Sequence, residues 1–244
     1  MKRLIIILTF AALFGCDSDN TPDCLKSAGS ETTQIFDLPE FDKMTIYNEF
    51  KVYLTYGSEK SVSVTTRENL LSDISLEVVN GELIVQNKAG CKWVRSYDFP
   101  ILEITTDDLD FIEIIGGSEI NSTNTLRFPA LFMKSKDSNG LINLDIDMVD
   151  FGVDGNEITN YNVEGVATNL NLTFSSGDSR FQGSKLLVTN AIVVHNGSND
   201  IIINVSESLS GRVGSTGDLI YVGQAPQFVD VNITNRGRLI DGTN

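Results

Sequence analysis

Histidine is nearly absent from the sequence, with one residue in 244. A Ser-His-Asp triad, a histidine general base or a histidine-rich metal site therefore has almost nothing to be built from. Cysteine is scarce too: the three present include no C-x-x-C pair, which argues against a zinc site or a thioredoxin-like motif. Basic residues number 18 against 33 acidic ones, for a net charge of −15. Without the first fifteen residues the balance is 16 to 33, or −17. So acidic a surface repels phosphate backbones, and no nucleic-acid partner is expected. The charge does not make the chain a disordered polyanion, because 41% of its residues are hydrophobic and 13 are Phe. No window carries a sustained 3.6-residue apolar period with caps. The one helical turn expected is a short connector at Glu68-Asn69-Leu70-Leu71.

What is present begins with a targeting segment. Lys2 and Arg3 precede an eleven-residue apolar run, Leu4 to Phe14, too short to span a bilayer but suited to a signal peptide. The run ends Leu13-Phe14-Gly15-Cys16, which resembles the lipobox of bacterial lipoproteins, although small residues are commoner than Phe at position 14. The expected organisation is a signal peptide over 1–15, lipidation at Cys16 and a polar tether over 16–34. Asp17-Ser18-Asp19 resembles a surface-export signal, with a solvated acidic linker as the alternative. With Cys16 acylated, Cys24 and Cys91 form an even pair in an exported chain, and a disulfide between them is expected. It would close a 67-residue loop and contribute about 4 kcal/mol through chain entropy.

The remainder reads as strands. Phe50, Val52, Leu54 and Tyr56 alternate with Lys51, Tyr53 and Thr55, and Val62 and Val64 continue the pattern. Leu76 and Val78 precede Asn80-Gly81, and Leu83 and Val85 follow it. Asn-Gly between alternating runs predicts a hairpin with a type I′ turn, which needs positive φ at both central positions. After about residue 106, glycine recurs in turn segments at Gly117, Gly140, Gly155, Gly177, Gly197, Gly217 and Gly237. The intervals are 23, 15, 22, 20, 20 and 20. A period near 20 with strand–turn–strand units predicts a β-solenoid of about seven coils, roughly 34 Å long at ladder spacing. On this reading the 15-residue interval requires a shortened coil, and Gly197 and Gly217 turn corners with positive φ. A β-sandwich is the alternative. The expected division is an N-terminal β region over 35–105 that extends or caps the solenoid, and the Gly-punctuated solenoid over 106–244, the two forming one continuous domain.

The lipobox, the alternating strands, Glu68-Asn69-Leu70-Leu71, Asn80-Gly81-Glu82-Leu83, Cys91-Lys92-Trp93-Val94-Arg95-Ser96-Tyr97 and the Gly-punctuated strands together resemble the putative auto-transporter adhesin, head GIN domain family, from about Phe36 to Asp241. The resemblance implies a right-handed β-solenoid in cell-envelope proteins of Bacteroidota, and it brings no catalytic residues. No series of amphipathic membrane strands follows the repeat, so a lipid anchor at Cys16 would stand in for a translocating barrel.

Candidate chemistry is thin. Asp107, Asp108 and Asp110 form the densest acidic group. Asp145 and Asp147 share a strand face, with Asp150 following. The last three are candidate Ca²⁺ ligands or a lyase site; the competing reading makes them outward residues of an acidic solenoid. No basic residue recurs beside them, as a lyase would need. Trp93, Arg95 and Tyr97 alternate and could stack on a sugar or instead pack at the junction of the two halves. His195, before Asn196-Gly197, is read as a surface or turn residue. No cofactor is expected. The function expected is a non-catalytic envelope lipoprotein, adhesive or structural, held to the lipid bilayer of the outer membrane through Cys16, surface-exposed or periplasm-facing, with a glycan or protein partner. The alternative is a carbohydrate-active enzyme or glycan-binding protein on a β-helix.

Overall fold

The computed structural model describes residues 27–89 and 98–243. Cys16, Cys24, Cys91, Trp93, Arg95 and Tyr97 lie outside them, and so do the lipidation, the disulfide and the stacking cluster expected there. The described residues form seventeen strands and a single 3-10 helix, Glu68–Asp73, where the short connector was expected.

The architecture is a β-solenoid with two main walls. Its regular part is carried by β11 (Leu141–Gly155), β12 (Asn160–Phe174), β13 (Arg180–His195) and β14 (Ile201–Val213). Each of these long strands serves both walls, bending between them. The first residues of β11 pair in parallel with β9 (Glu119–Ser122), and Asp150–Gly155 pair in parallel with β10 (Ala130–Lys136). β15 (Leu219–Gly223) and β17 (Leu239–Thr243) end the first wall, and β16 (Phe228–Ile233) ends the second.

Alternation decides which side chains enter the interior. On the first wall Ile120, Ile142, Tyr161, Phe181, Ile201 and Leu219 stack in one buried column. On the second, Leu131, Phe151, Leu170, Ala191 and Leu209 do the same. Ladder hydrogen bonds run along the axis and the side-chain columns fill the space between walls, so the core is continuous through all coils.

The N-terminal half enters this stack out of chain order. β2 (Lys43–Tyr47) lies between β6 (Glu82–Asn87) and β8 (Phe111–Ile115), parallel to both. β3 (Lys51–Tyr56) likewise lies between β7 (Ile101–Thr106) and β9. The first coil in sequence is thus the second in space. The end is closed by antiparallel strands: β5 (Ile74–Val79) on β6, and β4 (Ser61–Arg67) on β7, with β1 (Glu31–Phe36) outermost on β4. The β5–β6 hairpin turns at Asn80 (φ 53°) and Gly81 (φ 81°), the type I′ signature expected of Asn-Gly. The first wall counts eleven strands from β1 to β17, about 48 Å at ladder spacing, longer than the seven-coil estimate because the capping strands extend it.

Two expectations about glycine are corrected. The 15-residue interval is not a shortened coil, since β11 is as long as β12. Gly155 is an inward wall residue packed on Phe174, where a Cβ would collide with the ring, and the left-handed corner residue of that coil is Glu157 (φ 68°). Gly197 and Gly217 do not have positive φ; they are small because His195 and the backbone of the previous coil lie against them. The left-handed corner positions are Asn48, Gly116, Asp137, Glu157 and Gly177.

Gly177 combines φ of 84° with a site where a Cβ would collide with the Glu157 backbone. Gly177→Ala should therefore lower the melting temperature by about 5 °C or more, since left-handed strain alone costs roughly 1–2 kcal/mol. Gly197→Ala should cost less, its Cβ falling 3.1 Å from the Gly177 carbonyl oxygen. Asp147→Asn should change stability by less than about 0.5 kcal/mol, because the Arg127–Asp147 ion pair is solvent-exposed. Thermal melts followed by circular dichroism test this order, and a loss larger for Asp147→Asn than for Gly177→Ala would refute it.

Candidate functional site

The second wall carries an aromatic platform on its outer face. Lys43, Phe111, Phe132, Gly152 and Asn171 occupy successive strands in one outward column. The Phe111 and Phe132 rings are stacked, with centroids 6.0 Å apart and planes 9° from parallel. Phe132 remains 40% exposed. Gly152 makes room for it, since a Cβ there would run into the ring. The rings form the floor of a shallow concavity of about 810 Å³ rimmed by Lys43, Asp110, Asp150 and Asn171. Asp150 is positioned by a side-chain ladder: Asn169 Nδ2 donates to Asp150 Oδ1 at 2.8 Å, and Asn190 Nδ2 to Asn169 Oδ1 at 3.3 Å. An apolar floor with an acid, an amide and an ammonium at its edge can receive a ligand with one apolar face and polar edges.

A second, polar groove of about 420 Å³ follows the bend between the walls. Its lining includes Asn143, Asn162, Gln182, Asp145, Glu164 and Lys185. Asn162 donates to Asn143 and Asn143 to Asn121, each at 2.8 Å, so amide side chains are laddered along the axis here too.

The aspartates singled out from sequence face outward as alternation requires, but each is committed to a different neighbour. Asp145 Oδ2 accepts the Thr125 hydroxyl at 2.6 Å, Asp147 pairs with Arg127 at 2.5 Å, and Asp150 accepts from Asn169. Asp107 lies 3.6 Å from Lys60, and Asp108 and Asp110 sit in the following turn. Among the described residues no group of three His, Cys, Asp or Glu side chains is arranged to hold a metal ion.

His195 departs from expectation. It is fully buried, in the inward column Ser135, Gly155, Phe174, His195, Val213. Its ring meets Phe174 edge-on at 6.5 Å, and neither ring nitrogen has a hydrogen-bond partner among the described residues. The signal was in the alternation: Val193 and His195 share a face, so an inward Val193 carries His195 inward with it. Burial pushes the imidazole below its ordinary pKa, opposed by the nearby Asn199 backbone and then by the carboxylates of Asp200 and Asp218. Asp218 is itself held low by hydrogen bonds from Arg238. Burial likewise pushes the Tyr161 phenol up.

The family described as "Putative auto-transporter adhesin, head GIN domain" matches residues 40–225. The chain belongs to this family. Among solved structures, that of a putative adhesin from Bacteroides fragilis superposes with a TM-score of 0.80 at 20% identity, covering 88% of this chain and 97% of that one. A putative lipid binding protein from Parabacteroides distasonis gives 0.64 at 15% identity, with 87% and 98% covered. A putative adhesin from Parabacteroides merdae gives 0.57 at 15%, with 87% and 97% covered. At these identities the likeness is one of fold. A comparison with the curated proteins found no match. No helix among the described residues is long and apolar enough to cross a membrane.

His195 makes stability pH-dependent in a predictable direction. Its folded pKa lies below the unfolded value near 6.5, so the unfolded chain takes the proton first as pH falls. The stability is fully present above about pH 7.5 and is lost as pH drops through 6.5 toward the folded pKa. Urea midpoints at pH 7.5 and 5 should fall for the wild type and fall less for His195→Leu. Equal drops would show that carboxylates, not His195, carry the dependence.

Proposed function

We propose that this chain is a non-catalytic recognition module of the cell envelope, anchored through an acylated Cys16, that binds saccharide across the Phe111–Phe132 platform. The single observation that carries the reading is a stacked aromatic pair, Phe132 exposed and Phe111 half-buried, beside an outward glycine in a concavity rimmed by Lys43, Asp110, Asp150 and Asn171. A pyranose has an apolar C–H face and a rim of hydroxyls. Stacked Phe rings match the face, and Asp150, Asn171 and Lys43 match the rim. A recognition role needs no acid pair and no metal, and it suits a scaffold whose candidate carboxylates are each engaged separately. The signal peptide and Gly15-Cys16 junction support export and anchoring.

A glycan array probed with the mature chain, with and without Ca²⁺, tests the ligand class. Binding to a defined saccharide set should fall at least about tenfold in Phe132→Ala, with an unchanged circular dichroism spectrum because the ring lies on the outer face and outside the core columns. Retention of full binding by Phe132→Ala would remove the platform from the reading. Cys16→Ala should release the chain from the membrane fraction, and a variant still wholly membrane-bound would overturn the anchor.

A further inference from the structure

The concavity that holds the Phe111–Phe132 pair is long and narrow, and its long axis runs along the solenoid. Its lining comes from five strands that follow one another in the stack: β2, β8, β10, β11 and β12. Lys43, Phe111, Phe132, Gly152 and Asn171 are in register from each to the next. Four ladder steps separate Lys43 from Asn171, or about 19 Å. Along the strands the lining reaches only from Gly152 back to Asp150 and from Phe132 back to Ala130, or about 7 Å.

The polar groups set out along this length are unspent. Among the described residues the side chains of Lys43, Asp110 and Asn171 have no hydrogen-bond or ion-pair partner. Asp150 is held by Asn169 through Oδ1 and keeps Oδ2 free. All four are exposed. Elsewhere on the walls Glu113, Asp145 and Asp147 are each committed to a neighbour. Along the axis the order is therefore an ammonium, two aromatic rings, a glycine beside a carboxylate, and an amide. Lys43 and Asn171 stand too far apart for one sugar to touch both, so a ligand that uses both is a chain.

Chemistry narrows which chain. A peptide presents an amide at every residue, and the N–H and C=O groups of this wall are spent on the ladders between coils. A peptide backbone laid over the Phe rings would leave amides without partners. An acyl chain would suit the ring-lined middle and set methylenes against the ammonium, carboxylate and amide groups. A linear glycan advances by close to one ladder step per sugar and offers an apolar face and hydroxyl edges at every step. Charge selects among glycans. Asp110 and Asp150 border the rings, Lys43 is the one cation of the lining, and the whole chain is at −15, so uronates and sulfated sugars are repelled.

We propose that the ligand of this groove is a neutral, unbranched oligosaccharide of about four sugars, laid lengthwise along the solenoid axis from Lys43 to Asn171. The proposal rests on the platform reading above and adds the length, direction and charge of the ligand. The two middle sugars lie over Phe111 and Phe132. The outer two reach Lys43 at one end and Asn171 at the other, and Asp150 accepts from hydroxyls along one edge. The rings supply contact area and the end groups measure chain length, so affinity grows with each sugar until the groove is full.

Isothermal titration of the mature chain with Cys16→Ala tests this, using unbranched oligomers of glucose, mannose, galactose and N-acetylglucosamine of two to six sugars, with tetragalacturonate as the anionic counterpart. For the series that binds, affinity should rise at least about tenfold from two sugars to four and change less than about twofold from four to six. Tetragalacturonate should bind at least about tenfold more weakly than the neutral tetramer. In the Lys43→Ala, Asn171→Ala double variant the gain from two sugars to four should shrink below about threefold, with an unchanged circular dichroism spectrum because both side chains are exposed. Affinity that saturates at one or two sugars, a preference for tetragalacturonate, or no binding of any neutral oligomer would overturn the proposal. So would capture of a fluorescent fatty acid in place of every sugar. A binder that saturates at two sugars and is weakened by Phe132→Ala removes only the lengthwise chain. Undiminished binding by Phe132→Ala removes the platform itself, so the two readings fail separately.

Discussion

In-register parallel stacking is the constraint on which the rest of the structure depends. A slip of one residue between coils would turn every inward Ile, Leu and Phe of a wall to water. The coils nevertheless differ in length. Along the first-wall column Ile120, Ile142, Tyr161, Phe181, Ile201 and Leu219, successive spacings run from 18 to 22 residues. The register survives because the surplus or deficit is taken up at the bend. β12 and β13 slip between Asn162 and Glu164, and β13 and β14 slip between Gly183 and Leu187 and again between Val188 and Asn190. The walls carry the columns and keep strict pairing; the bend absorbs the irregularity.

A chain that turns a buried corner in every coil must also satisfy the backbone groups exposed there. Here hydroxyls do this. Ser118, Ser138, Thr159 and Ser179, spaced 20 or 21 residues apart, are all buried at the corner. Ser118 donates to the Asn48 carbonyl at 2.6 Å and accepts the Phe50 amide at 3.2 Å. Ser179 donates to the Asn156 carbonyl and accepts the Thr159 amide, both at 3.1 Å. The hydroxyl period is more regular than the glycine period, because the hydroxyl has one task and glycine has several. At Gly177 the need is a left-handed φ, at Gly155 it is room for Phe174, and at Gly217 it is room for His195.

That difference explains what could be read from sequence and what could not. The Asn80-Gly81 hairpin and the Glu68 turn are local, and local chemistry specifies them. The solenoid itself was legible because its period is a repeated local event. Gly155 misled because glycine at a wall position and glycine at a corner look alike in a string of letters. His195 misled because its neighbours Asn196 and Gly197 belong to a turn, while its own side chain obeys the strand before it. The placement of β2 and β3 between β6–β7 and β8–β9 had no local signal. Alternating Val, Ile and Leu fit many parallel neighbours, and only the assembled core selects among them. Of the candidate site, the outward direction of Asp145 and Asp147 was legible, but the Phe111–Phe132 platform was not, because those rings become neighbours only through the pairing of β8 with β10.

The platform also separates what folding requires from what it leaves free. Inward positions are constrained by the columns, and outward ones are not. A mid-strand outward glycine works against the fold: it weakens a strand by roughly 0.5–1 kcal/mol relative to Ala and offers no side chain to its neighbours. Gly152 is such a glycine. It lies in the pairing of β11 with both β10 and β12, it has no left-handed φ to justify it, and its flanking residues Phe151 and Val153 already fill the core. What the missing side chain does provide is space for the Phe132 ring, which also stacks on Phe111. Nothing in the stacking of coils calls for that arrangement. An outward glycine that costs stability and leaves room for the partly exposed Phe132 ring is what the proposed recognition role would call for, and this is why the second wall, more than the acidic clusters, carries the proposal.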